Sequence, residues 1–313
     1  MSPETQPIDL PVGYHARPAR REDLDAVFHL VAECERHDDG AVEVARSDIE
    51  ADWNRPELDL ETMSVVVWNG DELAASGDVF KGRAEVDVAP LHRGRGIGAA
   101  LLPWTWLVAR SDGRDSVGQT VSDRRTDAAS LFLTHGYEVA HTAWVLRIDL
   151  GDDPPAEPEL PDGFAFRDLR PGADDRAVFE VVDAAFDEWE DRESHGYENW
   201  AAAFLHRDEV VPSLVPIVVD RRASDRIVGV ALNFHYGVDT DVEGWTQQLA
   251  VDEAYRGRGI GRALLQESFR RFHGVGYRHC GLSTDSRTGA LGLYEHIGMR
   301  VRSSFTRYTK RLP

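Results

Sequence analysis

One hexamer occurs twice in this chain. Arg93-Gly94-Arg95-Gly96-Ile97-Gly98 returns as Arg256-Gly257-Arg258-Gly259-Ile260-Gly261. Each copy follows an apolar run, Ala84–Val88 and Leu249–Val251, and opens a stretch with helical spacing. A second pair of segments keeps the same offset to within a single residue. Ser122-Asp123-Arg124-Arg125-Thr126-Asp127-Ala128 answers Thr284-Asp285-Ser286-Arg287-Thr288-Gly289-Ala290, Leu131-Phe132 answers Leu293-Tyr294, and Gly136 answers Gly298. A repeat this long is not a solenoid unit; it is a duplicated domain.

The bulk properties agree with two domains. The chain has 313 residues, and a domain averages ~150. Gly151–Pro161 is acidic, Pro-rich and without periodicity, which makes an extended linker. It divides the chain into 1–150 and 162–313. A net charge of −20 argues against nucleic acid as a partner. No apolar run reaches the ~18 residues that span a bilayer, and Met1–Leu10 is too polar for a secretory signal. With one cysteine per half, Cys34 and Cys280, a disulfide framework is not expected. A cytoplasmic protein is expected, with no metal site and no membrane partner. The duplication already supplies an internal pseudodimer, so a monomer or weak dimer is expected.

Hydrophobic periodicity gives each half the order β-α-α-β-β-β-α-β-α-β, an α/β architecture of mixed sheet with flanking helices. In the first half the helices fall at Glu22–Glu35, Ala45–Trp53, Gly96–Arg110 and Arg124–His135, with Pro103 expected to kink the third. In the second half they fall at Asp174–Phe186, Tyr197–Leu205, Ile260–Phe272 and Arg287–His296. Both hexamers lie between a strand and a helix. A helix start leaves N–H groups without intrahelical partners, and with the macrodipole these attract anions. Glycines let a phosphate approach the backbone, and Arg256, Arg258 and Arg262 can add charge-assisted bonds. The same holds for Arg93, Gly94, Arg95, Gly96, Ile97 and Gly98. Neither copy has the Gly-Lys-Ser/Thr of a Walker A loop. Both lie too far into their domain for a dinucleotide fingerprint.

Leu249-Ala250-Val251, the hexamer Arg256–Gly261, Leu293-Tyr294-Glu295 and Gly298 together resemble the GCN5-related N-acetyltransferases. The tandem arrangement is similar to that of the mycothiol synthase family. The resemblance implies acetyl-CoA as donor, an amine as acceptor and direct transfer in a ternary complex. It implies that Arg256, Gly257, Arg258, Gly259, Ile260, Gly261 and Arg262 hold the pyrophosphate. It further implies that the Leu249 N–H faces the thioester carbonyl, that Val251 runs beside the pantetheine, and that Tyr294 serves as proton donor to the departing thiolate. Val86 and Val88 stand at the matching strand positions of the first half.

The halves differ where chemistry would be done. Phe132 replaces Tyr294, and the span from Asp71 to Arg93 is shorter than that from Asp225 to Arg256. The first half is therefore expected to be non-catalytic. The family's base glutamate maps to Trp245, and its asparagine maps to Ser286. Glu243, on the same strand face as Trp245, is the nearest carboxylate; it is either the base, direct or through water, or a solvated turn residue. Trp189, Glu190, His195 and Tyr197 are candidates for an acceptor pocket, Trp200 for core, and Cys280 for a buried apolar role. Three readings remain: acetylation of a small-molecule amine, including a mycothiol-type aminosugar conjugate, as the resemblance implies; a CoA-binding sensor without catalysis; or a structural pseudodimer whose first hexamer is empty.

Overall fold

A computed structural model describes residues 8–42, 44–55, 57–186, 196–207, 209–236 and 242–313. Trp189, Glu190 and His195 lie outside the described residues.

The chain forms two compact units, and their boundary differs from the linker-based division. Unit 1 is residues 1–143 with 303–313; unit 2 is residues 144–302. The expectation gave each half its own last strand. Instead the strand before the linker runs on into unit 2, and the C-terminal strand belongs to unit 1. Sequence repeats mark duplicated segments, whereas compactness is decided by pairing, so the two criteria part at these strands.

Unit 1 contains β1 (Tyr14–Arg17), α1 (Leu24–Asp38), α2 (Arg46–Trp53), α3 (Leu60–Met63), β2 (Ser64–Asn69), β3 (Glu72–Phe80), β4 (Arg83–Val88), α4 (Ile97–Ser111), β5 (Ser116–Ser122) and α5 (Thr126–Thr134). Strand β6 (Glu138–Asp149) passes from this unit into the next. Unit 2 continues with β7 (Phe164–Asp168), α6 (Asp175–Phe186), α7 (Tyr197–Trp200), β8 (Pro216–Asp220), β9 (Arg226–Tyr236), β10 (Glu243–Val251), α8 (Ile260–Gly274), β11 (His279–Asp285) and α9 (Leu291–His296). The last strand, β12 (Arg300–Arg311), returns to unit 1. The sheet order is β1-β2-β3-β4-β5-β12-β6 in unit 1 and β6-β11-β10-β9-β8-β7 in unit 2. In both, the consecutive early strands pair antiparallel, and β4–β5 and β10–β11 pair parallel.

Amphipathic spacing builds the cores. Ile97, Leu101, Trp104 and Val108 of α4 pack on Val65, Val67 and Ala75 of the sheet. Ile260 and Leu264 of α8 pack on Val218, Val228 and Ala231. The helix α4 continues through Pro103. A repeated corner opens each unit. Arg17 grips Asp23 with two bonds of 2.6 and 2.7 Å, and Arg167 grips Asp174 with bonds of 2.6 and 2.9 Å. Burial alone would raise both carboxyls, but the guanidinium and a backbone N–H hold each below its ordinary value.

Two helices of the second half depart in form from their sequence patterns. The pattern over Arg287–His296 yields a helix only from Leu291, because Gly289 takes φ +64° and Asp285 ties the preceding turn through Arg287 N–H at 2.9 Å. Tyr197–Leu205 gives four α-helical residues followed by a π turn, Ala201–Leu205.

Candidate active site

The two hexamers have one backbone conformation. Gly94 and Gly96 take φ of 71° and 90°; Gly257 and Gly259 take 74° and 81°. Any residue with a Cβ is strained there. The third glycine of each copy is already helical, at the first turn of α4 or α8. The isoleucine between is fully buried in both, so its side chain anchors the helix. The first α-type bond of α8 runs from Ala263 N–H to Gly259 O at 3.0 Å, and that of α4 from Ala100 N–H to Gly96 O at 3.0 Å. The N–H groups upstream of these have no intrahelical carbonyl to bond.

The arginines do not simply reach outward, as expected from sequence. Arg256 Nε donates to Val251 O at 3.2 Å and Arg93 Nε to Val88 O at 2.9 Å, so each clasps the end of its strand. Arg93 is further committed to Asp38 through two bonds, 2.5 and 2.9 Å. Arg258 bends back to Ala254 O at 3.3 Å, and Arg95 toward the Tyr14 hydroxyl at 3.4 Å. The helix-start amides are thus left without intrahelical partners while these arginines are turned to protein carbonyls and side chains, and Arg262 is exposed on the first turn of α8.

The strands ahead of the hexamers open toward them. Strand β10 pairs with β11 through Gly244 opposite Cys280 and Trp245 opposite Gly281, and the two then part. Where pairing stops, β10 carries a bulge: Thr246 faces Asn233, yet Gln248 faces Leu232. The extra residue re-aims the strand. A buried network holds the bulge, with Thr246 donating to Asn233 at 3.0 Å and Asn233 donating to Ser268 at 2.8 Å and Leu214 O at 2.7 Å. Trp200 Nε1 donates to Gln248 at 3.1 Å. The sequence reading missed these residues; the polar Asn233 within an apolar run was the available signal. Strand β4 parts from β5 after Arg83 opposite Gly118, but its register against β3 is regular. That gap adjoins a cavity of about 490 Å³ lined by Val86, Val88, Arg93, Gly94, Gly96 and Phe132, among others.

Leu249, Ala250 and Val251 lie on the diverging part of β10; Ala250 is buried, so it contributes backbone only. Tyr294 sits on α9, 8 % exposed, among Leu282, Phe269 and Met299. Burial raises its phenol above the usual value of 10, with a hydrogen bond to Thr284 acting in the opposite sense. It is a protonated acid at neutral pH. Phe132 occupies the equivalent place, its ring tilted against Tyr137 and Tyr308 at centroid distances of 5.2 and 5.3 Å. Glu243 begins β10 rather than lying in a turn, and its Oε1 is 2.9 Å from Arg147 Nε. Arg147 comes from β6, before the linker, so the sequence division hid this pairing. Ser286 is exposed in the turn before α9. Cys280 is buried and its thiol is pushed up by burial, consistent with an apolar role.

Known proteins share this arrangement. Residues 215–300 match the family model described as "Acetyltransferase (GNAT) domain". A solved GCN5-related N-acetyltransferase from Sphaerobacter thermophilus is 31% identical, with a TM-score of 0.79 over 97% of each chain. The chain belongs to the GCN5-related N-acetyltransferases. A mycothiol acetyltransferase of Geodermatophilus obscurus is 32% identical over 72% of this chain and 70% of its own. A tandem GNAT protein from the clavulanic acid biosynthesis pathway shares the fold at 16% identity, with a TM-score of 0.67 over 96% of this chain and 99% of its own. The protein is an acetyl-CoA-dependent N-acetyltransferase. The second hexamer fits that donor: no heavy atom lies within 4 Å of where a Cβ would stand on Gly257 or Gly259. Among the described residues no helix is long and apolar enough to cross a membrane.

Proposed function

We propose that acetyl transfer runs in unit 2, at the opening between β10 and β11, and that unit 1 does not catalyse. The observation that carries this is the coincidence, in unit 2, of a strand bulge, a parting of parallel strands and an uncovered glycine helix opening. Amides from Gly257 to Arg262 hold the pyrophosphate, with Arg256 bracing the strand end and Ser286 at the rim. The backbone of Leu249, Ala250 and Val251 runs beside the pantetheine, and the Leu249 N–H polarises the acyl oxygen. Bound acetyl-CoA supplies an activated acyl carbon. Tyr294 supplies the proton to the departing sulfur; burial keeps the phenol protonated, and the hydrogen bond to Thr284 offsets part of that rise.

Glu243 lies six residues before Leu249 on the strand, about 20 Å away at ~3.3 Å per residue. It therefore takes the acceptor's proton only through a chain of waters. In unit 1, Val86, Val88 and Arg93 through Gly98 hold CoA in the same manner without turnover.

The acceptor is a small-molecule primary amine, and the protein works in the cytoplasm as a monomer or weak dimer. Relatives 28–33% identical that carry the name mycothiol acetyltransferase favour a mycothiol-type aminosugar conjugate as a second reading. Trp245 and Ser286, at the family's glutamate and asparagine positions, weigh against it. An acceptor panel that includes the unacetylated mycothiol precursor tests both, with free thiol and product mass followed. Acetylated amine is the expected product. Tight acetyl-CoA binding with no product from any amine would instead support the sensor reading.

A further inference from the structure

An acid that gives up its proton in every turnover must get it back. Tyr294 lies among Leu282, Phe269 and Met299, and an unpaired phenolate in such apolar surroundings is costly. Strand β11 brings a polar group to that place. Its side chains alternate: Cys280 and Leu282 are buried in the cluster that holds Tyr294, Gly281 lies against Trp245, and Ser283 is exposed. Thr284 therefore falls on the Tyr294 side, and it is buried.

The Thr284 hydroxyl is hydrogen-bonded to the phenol and lies 2.9 Å from the Thr288 hydroxyl. Thr288 is half-buried in the turn before α9, beside the exposed Ser286, Arg287 and Gly289. Its own bonds fix that turn: Thr288 Oγ1 donates to Asp285 O at 2.8 Å and accepts from the Ala290 N–H at 3.1 Å. Three hydroxyls thus form a chain from a buried phenol to a surface turn. Unit 1 has Ser122 and Thr126 at the matching positions, and Phe132 in place of the phenol. There Ser122 donates to Asp39 at 2.9 Å instead, and Thr126 is exposed at the first position of α5. The hydroxyl chain occurs in the unit that has the phenol.

We propose, on the reading of Tyr294 as the acid, that Thr284 and Thr288 are positioning residues that aim its hydroxyl and return its proton from solvent. When the Tyr294 O–H proton passes to the departing sulfur, a phenolate remains. The Thr284 proton moves to the phenolate oxygen, the Thr288 proton moves to Thr284, and a water proton moves to Thr288. Each hydroxyl gains one proton as it loses one, so no alkoxide forms, and the proton taken from water equals the one the acceptor amine released. A hydroxyl carries one donor and two acceptor sites and rotates about its C–O bond, so the chain reverses without backbone movement.

The test combines kinetics with thermal unfolding of the full chain. Free thiol from acetyl-CoA is followed, with the amine that turns over in the panel above as acceptor. Thr284→Val keeps the side-chain shape without the hydroxyl; kcat should fall by about tenfold, while KM for acetyl-CoA stays within about twofold. Thr284→Ser should restore kcat to within about twofold of wild type. Thr288→Val breaks the chain at its surface end and should lower kcat in the same way. The solvent deuterium isotope effect on kcat should be larger for Thr284→Val than for wild type, because proton return then limits turnover. With Tyr294→Phe in place, Thr284→Val should lower kcat no further, since groups that act as a unit do not add. In the ligand-free protein, which needs no acceptor, the Tm losses of Thr284→Val and Tyr294→Phe should overlap in the double variant. Wild-type kcat in either valine variant, no rescue by serine, an unchanged isotope effect, additive Tm losses or a further kcat loss beyond Tyr294→Phe would each overturn the proposal and leave Tyr294 as the acid. Full turnover by Tyr294→Phe, or no product from any amine, would remove the acid itself and the proposal with it.

Discussion

The two glycine openings share sequence and backbone angles but not surroundings. At the first, Pro11 lies 3.6 Å from where a Gly96 Cβ would be, and Leu131 lies 3.2 Å from the corresponding point on Gly98. At the second, the space beside Gly257 and Gly259 is open, and Gly261 meets only Val251 at 3.7 Å. Arg262 stands where the first copy has Ala99, and β10 is bulged where β4 is regular. The first opening keeps Arg93 and Arg125 bound to Asp38 at 2.5 and 3.1 Å. Duplication preserved the part that dictates its own local fold, because positive-φ glycines cannot be replaced cheaply. It did not preserve the strand bulge or the exposed arginine beside that part.

The sharpest test of this contrast is the aromatic pair. Tyr294→Phe gives unit 2 the residue that unit 1 already has. Turnover should fall by roughly a hundredfold or more, the usual size of a lost general acid, while acetyl-CoA affinity by calorimetry stays within about twofold. Phe132→Tyr should leave turnover unchanged. A Tyr294→Phe enzyme with normal kcat would remove the phenol from the mechanism.

Next in size is the glycine pair. Gly259→Ala forces a Cβ into the left-handed region at φ 81°, which costs ~1–2 kcal/mol. It also crowds the amides, so KM for acetyl-CoA should rise about tenfold with little change in kcat. Gly96→Ala meets the same strain at φ 90° and should lose similar stability, yet steady-state kinetics should not move. An equal loss of activity from both would mean that the first opening takes part in turnover.

Most of the fold was legible because its signals are local. Apolar periodicity placed α1, α4, α6 and α8, and the hexamers placed the helix openings. What was not legible depends on pairing between distant segments. The ion pair of Glu243 with Arg147 needs β6 to cross out of its own repeat. The Asn233–Thr246–Ser268 network needs the bulge. Arg93 looked available to a phosphate until α1 brought Asp38 to it. A side chain's charge can be read from sequence; whether a neighbour has already used it cannot.

The smallest expected effect concerns Asp87, which stands where unit 2 has Ala250. Burial and Glu85 raise its carboxyl from 3.8 to about 6, against the pull of Arg125 and Arg93. The folded state therefore binds a proton more tightly than the unfolded chain does. Between about pH 4 and 6 the unfolded chain ionises first. Stability contributed by the protonated form is full below that window and is lost as pH rises through it. Asp87→Asn removes the titration, so the variant should gain on wild type as pH increases. The gain should be roughly 1–2 kcal/mol by pH 7, or a few degrees in Tm, after allowance for water in the cavity. Ala250→Asn in unit 2 should show no such pH-dependent gain, only the constant cost of a buried amide. Parallel Tm–pH curves for Asp87→Asn and wild type would mean that Asp87 ionises normally, and this difference between the units would then be one of sequence without electrostatic consequence.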